Sequence, residues 1–142
     1  MTPEQNKQIV RRQFELLNER DAKGAVALWG PDSYNHGQKV DAKQLESVYA
    51  SLSQLQERHS IHEMVAEGDW VAVRTTCEGV HAAKVRVNSG IFAEIEPTGK
   101  KYTVQHMHLF RIVDGKIAAH WANRDDLGAA RQVGLELRPV SE

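Results

Sequence analysis

The chain has 142 residues, 41% of them hydrophobic, and its 18 Lys and Arg residues nearly balance 19 Asp and Glu residues. A net charge of -1 with no basic stripe offers little to a phosphate backbone or an anionic bilayer, so we expect neither nucleic acid nor a membrane as partner. No apolar run approaches the roughly 20 residues that span a bilayer, and the polar start lacks the apolar segment of a signal peptide. The sequence therefore predicts one cytoplasmic domain over residues 1–142.

The first 60 residues predict helices. Thr2 and Gln5 have the spacing of a capping box, and the apolar residues that follow have helical spacing, which predicts a first helix ending near Asp21. A shorter helical pattern covers 23–29, and a longer one covers 41–56. The amino-terminal part of the chain is therefore expected to supply a helical layer.

After residue 60 the pattern changes to short segments rich in β-branched and aromatic residues with two-residue alternation, which predicts antiparallel strands. Asp114-Gly115 is typical of a tight hairpin turn. Helices followed by strands favour an α+β fold in which the helices pack on one face of a curved sheet, leaving room for a pocket between them. The predicted strands cover 61–66, 70–79, 84–92, 101–113 and 116–123.

Two histidines lie on one predicted strand face. Alternation over 104–112 puts His106, His108 and Phe110 together and turns Met107 to the opposite face. A register error of one residue would reverse this assignment. If the alternation holds, imidazole groups lie among large apolar side chains, where proton transfer can be tuned by burial.

The next strand is expected to end in a carboxylate. Strict alternation puts Trp121, Asn123 and Asp125 on one face and turns His120 to the other. A carboxyl group at the end of an aromatic wall is desolvated, which raises its pKa toward values suited to general acid–base catalysis. A competing interpretation is that Asp125 caps the helix that follows it.

The carboxy-terminal motifs resemble the signature of SnoaL-like polyketide cyclases, which belong to the NTF2-like superfamily. The motifs are Asp-Gly-Lys-Ile at 114–117, His-Trp at 120–121, Asp125, Leu-Gly at 127–128 and Gln-Val-Gly at 132–134. Further segments agree in order and spacing, so the resemblance covers nearly the whole chain. These segments are the first helix, 31–36, 66–74, 79–81 and 97–100.

The resemblance implies a cone-shaped α+β barrel, commonly dimeric, that encloses a hydrophobic small molecule and uses no metal or organic cofactor. It also implies that Asp125 is the general acid/base of an intramolecular aldol ring closure through an enolate. We expect His106 and His108 to hydrogen-bond the enolate oxygen. The expected substrate-binding residues are Trp121, Asn123, Phe110, Tyr34, Asn35 and His36.

Three alternatives remain open at this stage. A metal could bind His106 and His108 together with His120 or Asp125, since imidazole and carboxylate are suitable ligands. Epoxide opening in the same pocket would use an aspartate–arginine–aspartate set, for which the chain offers Arg111, Arg124, Asp125 and Asp126. Isomerase-like chemistry would need an oxyanion hole made of a tyrosine and an aspartic acid, which no positions match. The third alternative is a non-catalytic domain that only binds a hydrophobic ligand.

Overall fold

A computed structural model describes residues 1–85 and 91–141. Within these residues the chain forms four helices and six strands. In chain order they are α1 (Pro3–Asn18), α2 (Ala22–Ala27), β1 (Trp29–Asn35), β2 (Gln38–Val40), α3 (Ala42–Gln54), β3 (Arg58–Glu67), β4 (Trp70–Val80), β5 (Lys101–Val113), β6 (Lys116–Arg124) and α4 (Asp126–Gln132).

The capping box predicted for α1 is confirmed. The Thr2 hydroxyl accepts a hydrogen bond from the Gln5 backbone N–H at 3.1 Å, and the Gln5 side chain accepts one from the Thr2 N–H at 2.8 Å. These bonds satisfy donors that have no partner within the helix. Val10 and Phe14 lie on the buried side of α1 and pack in the main hydrophobic core. The first helix is thus fixed both at its start and along its apolar stripe.

The strands form one six-stranded sheet in the order β2-β1-β6-β5-β4-β3. Neighbours are antiparallel except β1 and β6, which run parallel. The predicted α+β class with helices on a mixed sheet is confirmed. We call the side of the sheet that the helices cover the inner face, and the opposite side the outer face.

The prediction missed β1 and β2. Gly30-Pro31-Asp32 has the composition of a turn, but it lies inside β1. The pairing of β1 with β6 shifts register between Trp29 and Tyr34, which accommodates this segment. The partner strand β6 is remote in sequence, since Asn35 of β1 lies beside His120. Such distant pairing leaves no pattern in the neighbouring residues that would predict β1 as a strand.

The predicted strand over 84–92 is wrong at its described ends, because residues 84–85 and 91–92 form no strand. Residues 86–90 lie outside the described residues. Among residues 1–85 and 91–141, no helix has the length and apolar character needed to cross a bilayer.

Candidate active site

A cavity of about 50 Å³ lies between helices α1 and α3 and the inner face of the sheet. Its helical wall is largely apolar, while its sheet wall carries imidazole, carboxyl and guanidinium groups. We call it the main cavity. It is lined by Gln13, Phe14, Leu17, Asn35, Leu45, Val48, Tyr49, Leu52, Glu57, His59, His106, His108, Phe110, His120 and Arg124.

The sheet wall of the cavity begins with β5. Alternate residues of this strand are buried along its whole length, and His106, His108 and Phe110 are all on the inner face. The predicted alternation is therefore confirmed, and both histidines line the main cavity.

The residues of β6 after Ala118 lie on the faces opposite to those predicted, because the strand contains a bulge. Arg111 pairs with Ala119 while the adjacent Ile112 pairs with Ile117, so Ala118 is an extra residue on β6. An unpaired residue reverses the alternation that follows it. His120 and Arg124 consequently line the main cavity.

The same bulge turns Trp121 and Asn123 to the outer face, so their predicted position in the pocket wall is wrong. Trp121 is 44% exposed, and its ring lies 5.8 Å from the ring of His36. Trp121 and Asn123 line a shallow groove on the outer face together with Met107 and Leu109. In this position they do not contact the main cavity.

Asp125 follows the last residue of β6 and is exposed. Its Oδ1 atom accepts a hydrogen bond from the Gly128 backbone N–H at 2.8 Å, which caps α4. Asp125 therefore does not lie at the end of a pocket wall as predicted. Its hydrogen bond agrees with the alternative prediction that it caps the following helix. The residue does not line the main cavity.

The three consecutive residues Tyr34, Asn35 and His36, which are expected to bind substrate, lie in different surroundings. Asn35 lines the main cavity, whereas Tyr34 is 43% exposed and does not. His36 lies in the exposed turn after β1 with a φ of 52°, and its backbone N–H donates to the carbonyl oxygen of His120 at 2.9 Å. Only Asn35 of this group can touch a molecule in the cavity.

A chain of hydrogen bonds joins Asn35, His120 and His108. Nδ1 of His120 lies 2.9 Å from Asn35 Oδ1, and Nε2 of His120 lies 2.9 Å from Nδ1 of His108. An amide oxygen only accepts, so His120 carries its proton on Nδ1 and accepts at Nε2, and His108 must then donate from Nδ1. This leaves a lone pair on Nε2 of His108, which is buried without a partner in the described residues.

Burial keeps the cavity histidines neutral. It lowers the pKa of His106 and of His120 to about 3, and that of His59 to about 4; the positive charge of Arg124 acts in the same direction on each. The pKa of His108 is lowered well below its ordinary value, also mainly by burial. At neutral pH these imidazoles are therefore uncharged, and each can donate one hydrogen bond and accept another.

Glu57 brings a buried carboxyl group to the cavity. Tyr102 donates a hydrogen bond to its Oε2 atom at 2.7 Å, and Oε1 lies 3.7 Å from Nε2 of His59. Burial raises the pKa of Glu57, and the bond from Tyr102 opposes that rise. His59 itself is positioned by Asn18, whose side chain bonds both the N–H and the carbonyl of His59 at 2.8 Å.

The geometry bears on the two chemical alternatives. Donor atoms of His59, Cys77 and His106 lie within 4.8 Å of one another, so a metal would find its ligands there rather than at Asp125. Burial raises the pKa of the Cys77 thiol, which disfavours the thiolate that a metal needs as ligand. The positive charge of Arg124 also acts on all three groups and would repel a metal cation. For epoxide opening, Arg111 lies on the outer face 3.8 Å from Asp69, away from Arg124.

Several cavity residues escaped the sequence reasoning. His120 and Arg124 were assigned to the wrong face because a bulge has no signal in strict alternation. Glu57 and His59 precede the predicted start of β3 at residue 61, so they were not placed on a strand at all. Tyr49 was assigned only to a helix, yet its buried hydroxyl accepts hydrogen bonds from Gln13 and Trp29.

Comparison with known proteins gives the class of the molecule. A family model described as SnoaL-like polyketide cyclase matches residues 7–133. The chain is 35% identical over 121 residues to the aklanonic acid methyl ester cyclase DnrD of Streptomyces peucetius, covering 85% of this chain and 73% of the relative. The chain therefore belongs to the SnoaL-like polyketide cyclase family.

Solved structures share the fold. TsrD of Streptomyces laurentii superposes with a TM-score of 0.80 at 21% identity, over 94% of this chain and 98% of its own. IdmH of Streptomyces antibioticus gives 0.74 at 21% identity, over 92% and 99%. The resemblance seen in the motifs and the expected α+β cone fold are thus confirmed, and the family membership supports a cyclase-type function.

Proposed function

We propose that this chain closes a ring in a polyketide-like 1,3-dicarbonyl compound through an enolate, with His108 as the base. The observation that carries the proposal is the chain of hydrogen bonds from Asn35 through His120 to His108, which leaves the Nε2 lone pair of His108 without a partner among the residues that the structure describes. A base of this kind needs an oriented, neutral imidazole within reach of an acidic proton. Family membership supplies the cyclase-type chemistry.

The proposed reaction needs no atom beyond those of the substrate. Nε2 of His108 removes the proton from the carbon between two carbonyl groups, and the C–H electron pair moves into the enolate. The enolate carbon attacks a second carbonyl carbon of the same molecule, forming a C–C bond and an alkoxide. The His108 imidazolium then returns the proton to the alkoxide, so the product is an isomer of the substrate.

The surrounding residues give this step its environment. His106 is 4% exposed and keeps its expected role of hydrogen-bonding the enolate oxygen. We assign the base to His108 and not to Asp125, because the Asp125 carboxylate is exposed and bonded to the start of α4. Phe110 and Phe14 supply the apolar lining that keeps water from the enolate.

The substrate must open the cavity further. Pockets for drug-sized ligands commonly measure about 300–1,000 Å³, whereas the main cavity has about 50 Å³. Leu45, Val48 and Leu52 of α3 form one wall, so a planar ring can enter only if these side chains or α3 itself shift outward. A hydrophobic polyketide is therefore the substrate class that we propose.

The test compares substitutions of the two candidate bases. Aklanonic acid methyl ester, the compound in the name of the relative DnrD, is incubated with each variant, and ring closure is followed by chromatography. We expect His108→Gln to lower kcat by about 10²- to 10⁴-fold, the usual contribution of general acid–base catalysis. The matched control is His62→Gln on the exposed part of β3, which should react like the original chain.

Asp125→Asn completes the comparison. We expect it to leave kcat within a factor of about two, because its side chain does not line the cavity. If Asp125→Asn abolishes ring closure while His108→Gln retains it, the assignment of the base is wrong. If the original chain binds the compound but never turns it over, the protein only binds this class of ligand.

A further inference from the structure

Arg124 lies where two cavities meet. It is the last residue of β6 and pairs across the sheet with His106 on β5. It lines the main cavity and also a smaller cavity between the sheet and α4, whose walls include Phe92, Tyr102 and Ala129. The guanidinium group of Arg124 can therefore contact a molecule in the main cavity from the side where β6 ends.

The guanidinium of Arg124 forms no ion pair with the residues that the structure describes. Within residues 1–85 and 91–141, no carboxylate oxygen lies within 4.0 Å of it and no side chain accepts a hydrogen bond from it. Removing a charge from water costs free energy unless the charge is paired. The arginine side chain keeps its charge in proteins, so it cannot avoid this cost by losing a proton. Its five N–H donors thus have no acceptor among the side chains of the described part of the chain and are available to a ligand.

The nearest acidic groups are occupied elsewhere. Glu57 is buried and already accepts the hydrogen bond from Tyr102; burial raises its pKa, and it interacts with Arg124 through charge but forms no ion pair with it. Asp126 interacts with Arg124 only through its charge, from the first turn of α4. The positive charge of Arg124 is therefore not balanced by an ion pair inside the cavity.

The imidazole groups of the cavity carry no charge. His59, His106, His108 and His120 are neutral because burial lowers their pKa values. An entering anion would meet the half-buried cation Arg124, the carboxyl group of Glu57, neutral imidazoles and an apolar helical wall. In such surroundings a charge-assisted hydrogen bond is stronger than in water.

We propose that Arg124 binds the ionised carboxylate of an organic acid whose apolar ring system packs against α1 and α3. The proposal rests on the proposed function for the apolar, ring-shaped body of the ligand, and extends it by naming an acidic group. Two parallel N–H donors of a guanidinium match the two oxygens of a carboxylate.

The experiment uses a matched pair of probes at pH 8, 2-naphthoate and its methyl ester, measured by isothermal titration calorimetry on the full chain. We expect the carboxylate to bind about 10- to 100-fold more tightly than the ester, the range for one charge-assisted bond. Arg124→Gln should abolish that preference, and Arg124→Lys should keep part of it. Thermal melting of both variants checks that they fold.

Further arms make the result decisive. Acetate, a carboxylate without an apolar body, should bind at least 10-fold more weakly than naphthoate; equal binding would overturn the ring requirement. Ester binding as tight as naphthoate binding, no naphthoate binding, or a preference that survives in Arg124→Gln would each overturn the role of Arg124. His108→Gln should keep the preference whatever its turnover, so failure of the proposed base is seen separately from failure of this site.

Discussion

Lowering the pH from 7 to 5 is expected to remove most of the stability of this protein, because its cavity histidines must be neutral in the folded state. Burial lowers the pKa of His59 to about 4 and the pKa values of His106 and His120 to about 3. In the unfolded chain each returns to about 6.5. The unfolded state therefore binds more protons below pH 6.5, and stability is fully present above that pH and falls as acid is added.

The magnitude follows from linkage. Each of the three histidines costs about 2 kcal/mol of unfolding free energy between pH 7 and pH 5, since its unfolded form is protonated over this range and its folded form is not. Together they remove about 6 kcal/mol, and His108 acts in the same direction. Small domains have only about 5–15 kcal/mol in total, so we expect unfolding to begin near pH 5.

The assay is urea denaturation at pH 8, 7, 6, 5.5 and 5, followed by far-ultraviolet circular dichroism. His106→Leu removes one of the coupled protons and should reduce the slope of stability against pH by about 1 kcal/mol per pH unit. His62→Leu, at an exposed position, should leave the slope unchanged. A loss of less than about 2 kcal/mol between pH 7 and 5 would refute the reasoning, because three buried neutral histidines cannot give so shallow a slope.

Two further predictions concern α4 and the outer face. Asp125→Ala should lower the unfolding free energy by about 1 kcal/mol, because the cap on the Gly128 N–H is lost, and Asp125→Asn should lose less; equal losses in urea denaturation would argue against a capping role. The homodimer expected from the family resemblance should use the outer face, where Met107 is 52% exposed beside Leu109 and Trp121. Light scattering after gel filtration should then give twice the 16.0 kDa of one chain, and Met107→Glu should give the monomer; a monomeric original chain would contradict the expectation.

The sequence was most informative where structure depends on neighbouring residues. The capping box at Thr2, the hairpin at Asp114-Gly115 and the alternation that buries His106 and His108 all rest on short-range chemistry, and each matches the structure. β1 was missed because its partner β6 is remote in sequence and because Gly30-Pro31 has turn composition. Local preference predicts elements well when the pairing is local, and poorly when a distant strand decides the outcome.

The candidate site depends on a single unpaired residue. With strict alternation from Ile117, β6 would present Trp121 and Asn123 to the cavity and turn His120 and Arg124 outward. Ala118 reverses that order, because the bulge gives β6 one residue more than β5 over the same distance. The apolar wall predicted from Trp121 is thereby replaced by an imidazole and a guanidinium, the groups on which both proposals rest. The chemical character of the cavity is thus set by the backbone of β6 at the bulge as much as by the side chains that line it.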